Sequence, residues 1–185
     1  MSFILSDNRS FITRFDNPTG NLDDWYEGCE IGEIWGLVTE GFFKDQADID
    51  NHADQWDVTS YPGDRPIEPG DLKYKDLDNN GKINNGSWTV NDPGDYKVIG
   101  NNASRYNYGA DFTAEWNGLY FRVLLQGVGK KDWYPESHYF FGIYRAPWGN
   151  VLENNLDHWT PENTDAYFPR LKSYIAEGGK DLAIN

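Results

Sequence analysis

A mainly β fold, made of antiparallel hairpins joined by long aromatic-rich loops with one or two short helices, is what this sequence predicts. Three observations lead there. Aromatic residues make up 16% of the 185 residues, with 8 Trp, 12 Tyr and 10 Phe, and such side chains fit a pleated surface better than a helix. The 19 glycines and 9 prolines interrupt the chain too often for long helices. Residues 106–126 alternate apolar and polar side chains on both sides of Asn117-Gly118, which is the pattern of a hairpin.

That hairpin is the most informative element. Tyr106, Tyr108, Ala110, Phe112, Ala114 and Trp116 alternate with polar neighbours up to Asn117-Gly118. This dipeptide suits a two-residue type I′ turn, whose two central positions both need positive φ. The turn sets the register: Trp116 faces Leu119, Ala114 faces Phe121, Phe112 faces Val123 and Ala110 faces Leu125, all on one apolar face. The other face is polar apart from Leu124. Two such strands fit both a soluble sandwich and an outer-membrane barrel wall, and periodicity alone favours the soluble one because soluble sheets are commoner.

Elsewhere the signals are shorter. Residues 3–15 read as weak strand with a turn at Asp7-Asn8, closed by the turn residues 16–20. Between residues 21 and 43, Gly28, Gly32, Gly36 and Gly41 imply bends rather than a helix. Asp45 is a usable N-cap for a short helix over 45–53. Prolines and glycines between Tyr61 and Gly70 forbid regular structure. Thr160-Pro161-Glu162 predicts a short helix over 161–167, with proline at its first position, and residues 170–185 predict a frayed end. The chain thus divides into a strand and loop segment (1–60), a loop segment holding a metal-type motif (61–103), the hairpin (104–129) and a long loop segment (130–185), within one fragment.

The metal-type motif is Asp76-Leu-Asp78-Asn-Asn80-Gly81-Lys82-Ile83-Asn84. Asp76, Asp78, Asn80 and Asn84 stand at positions 1, 3, 5 and 9 of an EF-hand-like loop, with Lys82 at the position that offers its backbone carbonyl. A hard cation such as Ca2+ needs six or more oxygens converging, and alternate Asp and Asn on a tight turn supply them. Position 12 is Ser87 instead of a bidentate glutamate, so Asp92 or Asp95 must close the site. The competing reading is a solvated loop of Asx turns.

Charge and composition exclude several roles. With 16 basic and 30 acidic residues the net charge is −14, which repels nucleic-acid phosphates. The lone Cys29 offers no disulfide partner and reads as a small buried side chain. His52, His138 and His158 sit in no catalytic motif, and no nucleophile elbow or phosphate loop is present, so no enzymatic activity is expected. Trp133, Trp148 and Trp159 are the candidates for stacking on sugar rings, against the alternative of filling space between loops. The N-terminus shows neither the basic start nor the apolar run of a secretory signal.

Several segments, in order, resemble the C-terminal region of SusC/RagA-like TonB-dependent outer-membrane receptors of Bacteroidetes. They are Glu30 to Phe43 (EIGEIWGLVTEGFF), Pro69 to Asp78 (PGDLKYKDLD), the Gly81-Lys82-Ile83 loop, Val98 to Asn101 (VIGN), Tyr106 to Gly109 (NYG after the tyrosine) and Leu125 to Gly129 (LQGVG), with a weaker match at Asn163 to Leu171 (NTDAYFPRL). The resemblance implies strands of a 22-stranded barrel, loops facing the extracellular side, and import of glycans or peptides under a SusD-like surface lipoprotein with energy from TonB. It also implies that Asp95 closes the metal loop, after an insertion spanning Asn85 to Gly94. On this reading the chain is a fragment, without plug or TonB-contacting segment. The alternative is a free-standing secreted carbohydrate-binding module.

Overall fold

The computed structural model describes residues 1–59, 67–134, 140 and 151–171. Trp148, His138, most of the proline-rich loop predicted over 61–70 and residues 172–185 of the end predicted to fray over 170–185 lie outside them. The architecture is mainly β. Its strands are β1 (Ser2–Ser6), β2 (Glu33–Gly36), β3 (Thr39–Phe42), β4 (Leu72–Tyr74), β5 (Lys97–Asn101), β6 (Arg105–Trp116) and β7 (Leu119–Lys130), with short helices α1 (Gln46–Asp50) and α2 (Trp56–Thr59) between β3 and β4. They form a three-stranded sheet in the order β1-β6-β7 and two separate pairs, β2-β5 and β3-β4. The chain gathers into two compact units, one of residues 1–35 with 98–133, the other of residues 36–97 with 134–185.

In the first unit the long hairpin has the register its turn dictates: Trp116 faces Leu119, Phe112 faces Val123 and Ala110 faces Leu125. Asn117 and Gly118 have φ of 48° and 81°, as a type I′ turn requires. β1 adds antiparallel to β6, with Phe3 opposite Ala110 and Leu5 opposite Tyr108, so strand alternation puts Phe3 and Leu5 on the apolar face. Among the described residues nothing covers that face. Phe121 is 58% exposed and Leu119 68%, and no residue of β1, β6 or β7 is buried.

Next to the sheet, the backbone of residues 10–12 runs beside residues 28–31, with Ile12 N–H on the Cys29 carbonyl and Ile31 N–H on that of Ser10, each at 2.9 Å. Arg9 pairs with Glu30, and Arg105 pairs with Asp7. Cys29 is buried. Burial and the nearby Glu33 carboxylate push its thiol pKa up, so it stays protonated and unreactive at neutral pH.

The second unit has a small true core. Phe43, Tyr74, Ile83 and Phe168 are each at most 2% exposed. α1 begins where Asp45 caps it, accepting the Asp48 N–H at 2.8 Å. β4 is flanked by β3 on one side, while the buried Gln55 side chain binds its backbone as a strand would. The Gln55 amide donates to the Leu72 carbonyl at 2.8 Å and accepts from Tyr74 N–H at 3.1 Å.

A distant segment closes this core. Trp159 N–H binds the Phe168 carbonyl at 2.8 Å, and Arg170 N–H binds that of Gly70 at 3.0 Å. The Arg170 guanidinium reaches Asp71 at 2.8 Å and Glu68 at 2.7 Å.

The helix predicted over 161–167 does not form. Thr160 Oγ1 does accept the Asn163 N–H at 3.1 Å, as an N-cap would. The chain then continues in turns, because Phe168 and Arg170 are drawn into backbone pairing with Trp159 and Gly70. The 3-10 turn of this region lies earlier, at Glu153–Leu156.

Candidate metal centre

The carboxylates of Asp76, Asp78 and Asp95 converge in the second unit, one oxygen of each lying within 4.8 Å of the others. This cluster of three acidic residues could hold a metal ion. The loop is shaped by consecutive Asx turns: Asp78 Oδ1 accepts the Asn80 N–H at 3.0 Å and Asn80 Oδ1 accepts that of Lys82 at 2.8 Å. Asn84 Oδ1 accepts the Gly86 N–H at 2.7 Å. The Asx turns of the competing reading are therefore present, and they curl the loop by themselves.

They leave two facts unexplained. Asp76 Oδ2 accepts the Gly81 N–H at 2.9 Å, but its Oδ1 is buried and has no hydrogen-bond partner. A buried oxygen of that kind is rare and calls for a bound water or ion. Desolvation acts to raise the Asp76 pKa, but the N–H groups of Gly81, Asn79 and Asn80 and a hydrogen bond with Asp78 together hold it below the ordinary 3.8. The carboxyl is thus charged and acceptor-only at neutral pH.

The second fact is the placement of Asp95, which is fully buried. Its Oδ1 accepts the Leu77 N–H at 2.7 Å and its Oδ2 that of Asn84 at 2.9 Å. It clamps both limbs of the loop, and each oxygen keeps a lone pair for a cation. Asp92 is occupied elsewhere, accepting the Ser87 N–H at 2.9 Å. Of the two carboxylates that the spacing left open, Asp95, the one implied by the resemblance, stands with Asp76 and Asp78.

The segment of residues 85–94 that separates Asp95 from the motif is pinched shut at its base. Asp95 N–H returns to the Asn84 carbonyl at 2.9 Å. Gly86 and Gly94 both have positive φ, and a Cβ on Gly94 would lie 2.3 Å from the Asn84 carbonyl oxygen and 2.5 Å from Gly86 N. Only glycine permits that approach. The residues between them loop out and back without displacing the closing carboxylate.

The loop is also anchored from outside. Asp54 N–H binds the Gly81 carbonyl at 2.9 Å, and Ile83 N–H binds that of Asp54 at 2.7 Å. Ile83, the apolar residue of the motif, is fully buried. Lys82 and Asn84, named from spacing as ligands, thus sit in a loop fixed on both sides.

Of the three tryptophans, Trp148 lies outside the described residues. Trp133 is 73% exposed and belongs to the first unit; Trp159 is 8% exposed and belongs to the second. A Cβ on Gly70 would lie 2.3 Å from the Trp159 ring, so that indole is packed against backbone and has a covered face. Tyr26, Cys29 and Glu33 form a polar cluster that sequence reading missed, in which the Tyr26 hydroxyl donates to Glu33. Burial, then Glu33, raises the Tyr26 pKa. No family model matches the chain, and no curated protein matches it at a significant level.

Proposed function

We propose that this chain forms wall strands and outer loops of a SusC/RagA-like, TonB-dependent outer-membrane importer of glycans or peptides, with a structural Ca2+ in the Asp76–Asp95 loop. The observation that carries the reading is the β1-β6-β7 sheet. β6 and β7 are 12 residues each, enough for tilted strands to cross a bilayer, which takes about 9–11. One face is apolar and largely exposed; the other carries Asn107, Asp111, Thr113, Arg122 and Gln126 together with Ile4, Leu124 and Val128. Lipid on the first face and a water-filled lumen behind the second account for both. A soluble sheet covers its apolar face with another layer, and none is seen among the described residues, which weighs against the free-standing carbohydrate-binding module.

In this reading the two-residue turn at Asn117-Gly118 is on the periplasmic side, where barrel turns are short, and the long loops are extracellular. The partners are a SusD-like lipoprotein above the barrel and TonB below it. Ca2+ is favoured over Mg2+ because the donors are many and irregular, whereas Mg2+ demands near-octahedral order.

Lysine scanning in the full-length receptor tests the wall assignment. Leu125→Lys is expected to cost about 2–4 kcal/mol in bilayer stability and to deplete the protein from the outer membrane, whereas Gln126→Lys is tolerated. Equal tolerance on both faces overturns it. For the loop, millimolar Ca2+ is expected to raise the melting temperature and Asp76→Ala to abolish the gain; no response to Ca2+ removes the metal from the proposal.

A further inference from the structure

Asparagine followed by glycine is prone to spontaneous ring closure, because glycine has no side chain to hinder its own N–H from reaching the neighbouring amide carbon. The sequence holds three such pairs, Asn80-Gly81, Asn85-Gly86 and Asn117-Gly118. Two are restrained. The Gly81 N–H is held by Asp76 Oδ2 at 2.9 Å, and the Asn80 amide is engaged at both ends by Lys82 N–H and Asp78. The Gly86 N–H is held by Asn84 Oδ1 at 2.7 Å.

The third pair has no such restraint. Among the described residues no hydrogen bond engages the Asn117 amide or the Gly118 N–H, and a Cβ added to Gly118 would meet nothing within 4 Å. Both residues stand at the exposed tip of the hairpin. We infer that Asn117 is a site of spontaneous deamidation and isoaspartate formation, singled out from the other two pairs by its free glycine N–H.

The chemistry needs only water. Gly118 N, giving its proton to solvent base, attacks Asn117 Cγ; the N–Cγ bond forms, the Cγ–Nδ2 bond breaks, and Nδ2 takes up a proton and leaves as ammonia. Water then opens the cyclic imide at either carbonyl, giving aspartate or isoaspartate. Both add a negative charge beside Trp116 and Leu119. Isoaspartate also lengthens the backbone path by one methylene, which a two-residue turn with positive φ at both positions does not accommodate.

Incubation of the folded chain in mildly alkaline buffer, followed by peptide mapping for the amide-to-acid mass gain and isoaspartyl content, tests this. Conversion at Asn117 is expected to run several-fold ahead of Asn80 and Asn85, with the three rates drawing together in urea. Equal rates in the folded chain overturn the inference. A second arm uses Asp76→Ala, which releases the Gly81 N–H: Asn80 conversion is expected to accelerate while Asn117 is unchanged, and an unaltered Asn80 rate overturns the role assigned to the restraint.

Discussion

Phe121 and Phe43 are the same side chain in opposite surroundings. The first stands in the open face of the β1-β6-β7 sheet at 58% exposure, the second in the core of the other unit at 1%. The sheet has long regular strands and, among the described residues, no layer over them. The second unit has strands of only three and four residues, yet it buries a core, because side chains do the work of missing strands. Gln55 completes the edge of β4, Asp95 clamps the metal-type loop, and Arg170 ties a distant segment to Asp71. Regular backbone pairing and burial are therefore separable: alternation makes a face, but only contacts remote in sequence cover one.

The sharpest way to break this comparison is to shorten the two phenylalanines in the isolated chain in water. Phe43→Ala is expected to cost about 3–5 kcal/mol by denaturant unfolding, through lost burial and a cavity. Phe121→Ala is expected to change stability by no more than about 0.5 kcal/mol, as exposed sites do. Similar costs at both positions would mean that the sheet face is covered in solution.

Asp95→Ala comes next. It leaves the N–H groups of Leu77 and Asn84 without their acceptor, at about 1–3 kcal/mol for a buried unpaired group, and removes the closing ligand. The unfolding midpoint should fall without Ca2+ and no longer respond to it. If the midpoint without Ca2+ is unchanged, Asp95 is a ligand and not a clamp.

Acid should act more gradually on the second unit. The Lys73 hydrogen bond lowers the Asp48 pKa, the hydrogen bonds from Ser87 lower that of Asp92, and Asp76 is lowered by its loop N–H groups against desolvation. Carboxyls depressed on folding confer stability that is complete above their ordinary value of 3.8 and lost as pH falls through the lower folded values. Near-ultraviolet circular dichroism should hold until pH drops below that value; loss of signal well above it would show that other groups govern the unit.

The smallest effect is expected at Arg122→Ala. Its pairing with Asp111 lies on the exposed polar face, where solvent screens it, and the melting temperature in water should not move.

Legibility in the sequence followed the range of the interaction. The hairpin register was readable because a two-residue turn and a period-two pattern fix every pair from Ala110-Leu125 to Trp116-Leu119 once Asn117-Gly118 is seen. The helix after Asp45 was readable because its cap is local. The helix predicted at 161–167 had an equally sound local cap in Thr160, yet pairing of Phe168 with Trp159 and Asp157, and of Arg170 with Gly70, drew the chain into turns.

By itself the sequence determined the β class, the hairpin and the spacing of Asp76, Asp78 and Asn80, all consequences of forces acting over a few residues. Spacing left Asp92 and Asp95 open and the resemblance implied Asp95; only the tertiary structure brings Asp95 to Asp76 and Asp78, because that rests on how Gly86 and Gly94 pinch the intervening segment shut. It alone decided that Trp159 is buried while Trp133 is exposed, and that Gln55 stands in for a strand. Those outcomes depend on which distant segments exclude water from which side chains, and no local pattern records that.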